Sequence, residues 1–122
     1  MELATKLCWF MIAAIHASPA AVLFRPALTE SLYNVPSNGS TGVLLIHRGA
    51  LFLAVVVVAI FAAVAPEARK AATILAGISV LSFLVIYVAS GAPGGPLRTI
   101  ASVDLFALLP LSFVIWSAWL RR

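Results

Sequence analysis

The chain has 122 residues, of which 63% are hydrophobic and only 10% are charged, and its formal net charge is +4 at pH 7. This number of polar groups is too small to cover the surface of a folded chain in water. The composition therefore excludes a soluble globular protein and predicts an integral membrane protein. The eight Lys and Arg residues stand mainly at the ends of apolar segments, which favours contacts with lipid headgroups and excludes nucleic acid as an expected partner.

Four apolar segments, at about residues 4–24, 42–65, 71–90 and 99–119, make up most of the sequence. Each is long enough to cross a hydrocarbon core of about 30 Å as an α-helix. We therefore predict an all-α fold in which residues 1–122 form a single domain, a four-helix transmembrane bundle with short loops. Such a small bundle leaves each helix partly exposed, so its expected partners are the lipid bilayer and either further copies of the chain or other membrane subunits.

The first apolar segment contains Lys6 and ends with small residues at 18–20, a pattern that imitates a signal peptide and its cleavage site. We expect this segment to be retained as the first membrane helix. Cys8 is the only cysteine, which excludes an intramolecular disulfide, a cysteine-based metal cluster and a CxxC redox pair. Pro19 follows His16 by three residues and removes a backbone N–H, which predicts a bend and a cavity beside the histidine.

The segments between the apolar runs are predicted to be turns and one short helix. Residues 26–34 fit an interfacial helix whose apolar side faces lipid. Residues 66–70 fit a tight turn, which makes the second and third long helices antiparallel neighbours. Residues 91–96 lack the Gly-Lys-Ser/Thr of a phosphate loop, so we expect a plain turn there, with Thr99 as the N-cap of the last helix.

The distribution of basic residues predicts the orientation in the membrane. With four spans, both termini lie on the same side as residues 66–70. That side has five basic residues (Lys6, Arg69, Lys70, Arg121, Arg122) and the other has three (Arg25, Arg48, Arg98). The excess favours cytoplasmic termini in an inner (plasma) membrane, and Trp9, Trp116 and Trp119 agree because indoles prefer the interface on that side.

One layer of polar residues is predicted near the outer ends of the helices. A rise of about 1.5 Å per residue gives polar residues of all four segments a similar depth. The layer comprises His16, His47, Arg48, Tyr87 and Asp104. Ionisable groups at membrane depth normally face the bundle interior or water and pair with one another. These residues are therefore the predicted ligand-binding site, in a pocket that opens to the outer face.

Arg48 and Asp104 form the predicted ion pair of this layer, because either charge alone would leave strong hydrogen-bonding groups unsatisfied. The pair is interpreted either as a clamp between two helices or as the floor of a polar pocket. His16 also has two interpretations. It either hydrogen-bonds a serine or a backbone carbonyl and fastens helices, or it contacts a ligand, transfers a proton or ligates a metal. Tyr87 lies either in the polar layer or at the membrane interface.

The third apolar segment places small and polar residues on one helix face, which is typical of close helix packing. These residues are Ala72, Ala76, Ser79, Tyr87 and Ser90. An accessory subunit would use this face to contact its partners.

The sequence contains few residues that could form a haem site, a metal site or a catalytic site. His16 and His47, on neighbouring helices at similar depth, raise the alternative of bis-histidine haem b or of a quinone contact. The sequence has no metal-ligand spacing, nucleophile elbow or zinc-protease motif, and only four acidic residues. No metal site, catalytic residue or required cofactor is therefore predicted, and the chain is not expected to be an enzyme by itself, although an acid/base isomerase using His16 or His47 with Asp104 stays conceivable.

Two short motifs carry a family resemblance: His47-Arg48-Gly49 near the start of the second span and residues 97–104 at the start of the fourth. With the four-span layout, they resemble small bacterial four-helix membrane proteins of the DoxX-like or uncharacterised kind. The resemblance implies a four-helix membrane fold and, from some members, a quinone or respiratory context.

The sequence therefore predicts a small inner-membrane protein with one of two roles. It either binds a small amphipathic ligand in the polar layer or serves as an accessory or structural subunit of a membrane complex. A redox-linked subunit that binds quinone or haem b through His16 and His47 is the alternative. The binding role requires a cavity beside His16 and Asp104, whereas the structural role requires a closed Arg48–Asp104 bond.

Overall fold

The computed structural model describes residues 1–121, which fold into α-helices with no β-strand in this part of the chain. The helices are α1 (Glu2–Ala21), α2 (Leu28–Tyr33), α3 (Gly39–Val64), α4 (Arg69–Ala89) and α5 (Pro96–Trp119), and a 3-10 turn at Pro66–Ala68 connects α3 to α4. The predicted all-α fold is confirmed.

Four of these helices, α1, α3, α4 with its preceding turn, and α5, are each long and apolar enough to cross a membrane. Their outward faces carry large apolar side chains that are mostly exposed, including Leu44, Val64, Val85 and Leu109. Water would strongly disfavour so much apolar surface, whereas lipid tails would not. The bundle is therefore suited to integration in a membrane.

The long helices run alternately up and down, so the bundle has two distinct ends. The "terminal end" contains the start of α1, the end of α5 and the turn at Pro66–Ala68, while the "α2 end" contains α2 and the opposite helix ends. α1 packs extensively against α3 and also against α5, and α4 packs mainly against α5. α3 and α4 touch less, although they are consecutive. They are neighbours as predicted, but a gap opens between them.

Small residues line the centre of the bundle and let the helices approach closely. Alanines of α3, α4 and α5 surround Trp9 and Ile12 in the core; they are Ala59, Ala62, Ala63, Ala72, Ala76 and Ala107. Trp9 is fully buried, so its indole packs inside the bundle and does not face the lipid headgroups as the prediction assumed. Trp116 and Trp119 are about half exposed, as an interfacial position requires.

Gly49 explains why α3 can press against the end of α1. A β-carbon at this position would lie 2.9 Å from the backbone nitrogen of Leu23 and 3.2 Å from the carbonyl oxygen of Pro19. Both distances are shorter than ordinary van der Waals contact, so only glycine fits without a backbone shift. This contact sets α3 beside the part of α1 that carries Pro19 and His16.

The helix boundaries differ from the prediction at the α2 end. α5 begins at Pro96, which occupies the first turn, and Gly95 precedes it with φ +77°. The predicted N-cap at Thr99 is therefore wrong, because proline is well suited to the first helical turn and starts the helix earlier. α2 covers fewer residues than predicted, since Asn34 adopts a left-handed conformation (φ 57°) that ends it.

An ion pair between the buried Arg69 and the exposed Glu2 closes the terminal end. The Nη1 atom of Arg69 donates to Glu2 Oε2 at 3.0 Å, Nη2 donates to Glu2 Oε1, and Nε donates to the carbonyl of Ala62 at 2.9 Å. Arg69 therefore ties the start of α1 to the end of α3. This role of Arg69 could not be predicted from the sequence, where Arg69 indicated only the orientation, because a count of charges does not show which of them are buried.

Candidate functional site

Two cavities lie side by side at the α2 end. The first, the "inner cavity", has a volume of about 170 Å³ and is enclosed by α1, α2, α3 and α5. Its polar lining comes from His16, Ser18, Tyr33, Thr99 and Asp104. An engineered apolar cavity of about 150 Å³ is known to hold benzene, so the inner cavity has room for a single ring of that size.

The second cavity, the "lateral groove", has a volume of about 400 Å³ and lies in the gap between α3 and α4. Its walls are mainly aliphatic, and its polar groups come from Arg48, Ser79 and Ser82. Leu51, Ile78 and Ile86 line the groove and are more than half exposed, so it opens at the side of the bundle, where lipid would lie.

Phe52 forms part of the wall of both cavities. Its ring centroid lies 5.6 Å from that of His16, and the guanidinium carbon of Arg48 lies 4.7 Å from the ring centroid on the groove side. Phe52 therefore separates the two cavities at the depth of the polar layer.

His16 fastens α1 to α4. Its Nδ1 lies 2.8 Å from the carbonyl oxygen of Ile12, which can only accept, so Nδ1 carries the proton and donates. Its Nε2 lies 3.1 Å from Ser79 Oγ and accepts from that hydroxyl. Both ring nitrogens are thus occupied in a neutral imidazole. The geometry supports the interpretation of His16 as a helix fastener that also forms part of the cavity wall.

Within the described chain, the structure leaves the Asp104 carboxylate of the polar layer without a hydrogen-bond or ion-pair partner. Its half-buried carboxylate lines the inner cavity and makes no hydrogen bond or ion pair within residues 1–121. An ionisable group at membrane depth normally has a protein partner, faces water or contacts a ligand. In this bundle the carboxylate is available to whatever enters the inner cavity.

The predicted ion pair between Arg48 and Asp104 is absent, since the ion pair that the described residues form joins Arg69 to Glu2. The guanidinium of Arg48 instead lies over the aromatic rings of Phe52, Phe83 and Tyr33, at 4.7, 5.5 and 5.6 Å from their centroids. The prediction fails because similar depth does not fix the direction in which each side chain points. Arg48 points to the lateral groove, and Asp104 points to the inner cavity.

The other two predicted site residues lie outside both cavities. His47 is exposed on α3 and lines neither cavity, so the structure does not bring the two histidines together. The hydroxyl of Tyr87 donates to the carbonyl of Pro93 at 2.8 Å and fastens the turn before α5. Neither residue is placed to contact a ligand in the inner cavity.

Tyr33 and Ser79 are the site residues that sequence reasoning missed. Tyr33 closes the inner cavity from α2, and burial raises the pKa of its phenol, so the group stays protonated and neutral. Ser79 was assigned to helix packing, but its hydroxyl is the partner of His16. The sequence offered one indication for Tyr33: it is a polar aromatic residue in a short helix that lies across the end of the bundle.

No protein-family model, curated protein or solved structure matches this chain. Within residues 1–121, no cluster of three or more His, Cys, Asp or Glu side chains could hold a metal ion. The chemistry of the site must therefore be argued from its own residues. Those residues provide a carboxylate acceptor in a ring-sized cavity and, across Phe52, a cation beside an apolar groove.

Proposed function

We propose that this chain is a small inner-membrane protein that binds an amphipathic molecule in the inner cavity, with a polar group of the ligand donating a hydrogen bond to Asp104. The observation that carries the proposal is the unpartnered Asp104 carboxylate in the wall of a ring-sized cavity. A helix clamp would instead have a closed bond between Asp104 and Arg48.

The ligand is expected to be a hydrogen-bond donor with an apolar ring or short chain. Asp104 accepts hydrogen bonds when ionised, and the Tyr33 hydroxyl can either donate or accept. Most of the remaining lining is apolar, including Ile15, Leu32 and Val103. Such a lining favours one polar group oriented toward α5 and an apolar body held by the other walls.

We propose the same orientation as the sequence analysis, with both termini in the cytoplasm. The inner cavity and α2 then face outward, which agrees with an outward-opening site. The basic residues at the terminal end support this orientation.

A quinone-type ring is the second candidate ligand, favoured by the size of the inner cavity and by the adjacent lateral groove, which is suited to an apolar tail. Its reduced quinol form would donate a hydroxyl to Asp104, whereas the carbonyls of the oxidised form would accept from the Tyr33 hydroxyl. Bis-histidine haem b has no comparable support, because the exposed His47 lies outside the cavity that His16 lines. Partner subunits have less support as well, because the alanines of the small-residue face of α4 are buried inside the monomer.

The test is purification in a mild detergent, followed by mass spectrometry of the small molecules that stay bound. Asp104→Asn keeps the size of the side chain and removes its charge, and Glu30→Gln is the matched control, because Glu30 is exposed on α2 and lines neither cavity. We expect wild type and Glu30→Gln to retain a stoichiometric ligand and Asp104→Asn to lose roughly tenfold in affinity, the loss typical of a hydrogen bond to a charged group. A wild-type protein without ligand, or equal retention by Asp104→Asn, would contradict the proposal.

A further inference from the structure

We infer that the lateral groove is a binding site for an acidic phospholipid, with the lipid phosphate on Arg48 and one acyl chain between α3 and α4. This site is distinct from the inner cavity of the proposed function. It uses a different charged residue and opens to a different environment.

Arg48 has hydrogen-bond donors that the described part of the chain does not use. Its guanidinium makes no hydrogen bond or ion pair within the described residues 1–121, and aromatic rings lie against it. Rings that stack on a guanidinium leave the N–H groups along its edge available, and these groups match two phosphate oxygens. Arg48 therefore has an unused capacity for an anion at the opening of an apolar groove.

The position of Arg48 along α3 places its guanidinium within reach of the lipid phosphates. α3 contains 26 residues, which is about 39 Å of helix against a hydrocarbon core of about 30 Å. Arg48 lies nine positions after Gly39, the first residue of α3, which is about 13 Å along the helix and places it roughly 5 to 9 Å inside the hydrocarbon boundary. A long basic side chain at that depth extends to the phosphate layer.

The length and lining of the lateral groove suit an acyl chain. Along α4 it extends from Leu75 to Ile86, about 16 Å of helix, which is close to the thickness of one leaflet. Its lining is mostly aliphatic, and its side opens toward lipid. A single acyl chain fits this shape, with its headgroup at the end where Arg48 lies.

The charge at the opening favours an acidic lipid over a neutral one. Phosphatidylcholine has a phosphate too, but its choline cation offsets that charge, whereas phosphatidylglycerol has a net negative charge. The groove lining contains no acidic residue. The Asp104 carboxylate, which interacts with the charge of Arg48 without forming an ion pair, lines the inner cavity instead. We expect the phosphatidylglycerol preference to depend on Arg48 alone among the basic residues at this end.

The experiment is native mass spectrometry of the delipidated full-length chain, titrated with phosphatidylglycerol or with phosphatidylcholine that has the same acyl chains. Arg48→Gln removes the anion-binding group. Arg98→Gln is its matched control, because Arg98 is an exposed arginine at the same end and lies outside the groove. Ala54→Phe fills the groove and leaves Arg48 intact, and Ala14→Phe adds the same ring to an exposed position of α1 that lines neither cavity.

We expect wild type to bind phosphatidylglycerol about tenfold more tightly than phosphatidylcholine, the scale of a charge-assisted hydrogen bond. Arg48→Gln should abolish this preference and Arg98→Gln should keep it, while Ala54→Phe should weaken both lipids and Ala14→Phe neither. If Arg48→Gln does not fold, Arg48→Lys should reduce the preference without removing it.

Equal binding of the two lipids by wild type would overturn the inference. So would a preference that Arg48→Gln retains, or a groove occupied by a second copy of the chain, seen as a dimer that Ala54→Phe dissociates. Asp104→Asn should keep or increase the preference for phosphatidylglycerol, because it removes a negative charge that interacts with Arg48, so this inference and the proposed function can fail separately.

Discussion

Asp104 and Arg48 carry opposite charges in the same layer of the bundle, and the ring of Phe52 lies between the spaces they face. Each is left with an unused binding capacity, an acceptor on one side and a set of donors on the other. The sequence predicted both residues as part of the site, because their depth follows from helix rise. It could not predict their separation, because depth does not determine the direction of a side chain around its helix.

Asp104→Asn is expected to keep or increase the stability of the ligand-free protein in detergent. The carboxylate has no partner within residues 1–121, so its replacement by a neutral amide breaks no bond and removes the cost of a half-buried charge. Thermal unfolding of the delipidated protein checks this, with Glu30→Gln as the surface control. A fall in Tm would indicate that Asp104 holds Arg48 in solution.

Glu2→Gln is expected to destabilise the protein relative to the wild type. The substitution leaves the buried guanidinium of Arg69 without its charged partner, while the exposed position of Glu2 limits the loss. Glu67→Gln is the control, since Glu67 is exposed at the same end and makes no ion pair in the described chain. Chemical denaturation in detergent measures both, and equal stability of the two variants would refute the clamp.

Ser79→Ala is expected to cost about 1 kcal/mol, because it leaves the Nε2 acceptor of His16 unpaired between α1 and α4. Ser112→Ala is a suitable control, since Ser112 is exposed and its hydroxyl bonds only within α5, to the carbonyl of Leu108. The same denaturation experiment applies. If Ser79→Ala is no less stable than the control, the bond between His16 and Ser79 does not fasten the two helices.

At the scale of the elements, the four long helices follow from hydrophobic segment length, and the structure shows each of them. Their ends and contacts follow from local chemistry that hydropathy does not report. Pro96 starts α5 earlier than the apolar run suggests, and Gly49 lets α3 approach α1. The motif around Gly49 was noted in the sequence for its resemblance to other proteins, whereas its physical role is close packing.

Gly49→Ala is expected to destabilise the bundle by about 1 to 3 kcal/mol, because its methyl group would overlap the backbone at Leu23. Gly77→Ala is the matched control: Gly77 is also buried in a long helix, but nothing lies within 4 Å of a β-carbon there. Gly77→Ala should keep or raise stability, since alanine favours helix more than glycine does. Equal effects of the two substitutions would show that α3 and α1 are not in close contact.

At the scale of the whole molecule, composition predicted a membrane protein, because 63% hydrophobic residues leave no soluble alternative, and the four apolar segments predicted a four-helix bundle. The gap between α3 and α4 was not predictable. It depends on α3 packing mainly against α1 while α4 packs mainly against α5, and hydropathy contains no information about which helix faces touch. The lateral groove follows from this arrangement and from no single residue.

The proposed orientation gives a labelling prediction. In a Cys8→Ser background, a cysteine at the exposed position Ser31 of α2 should react with a membrane-impermeant maleimide in intact cells. A cysteine at Glu67 should react only after the cells are permeabilised, because the proposal places the terminal end in the cytoplasm. The reverse pattern would contradict the orientation and leave the fold unaffected.

The most direct measurement is a structure of the protein crystallised in a lipidic mesophase. The account predicts density for a bound molecule in the inner cavity, within hydrogen-bonding distance of the Asp104 carboxylate, with Arg48 directed to the groove. A closed inner cavity in which Asp104 bonds directly to Arg48 would contradict it and would make the polar layer a clamp.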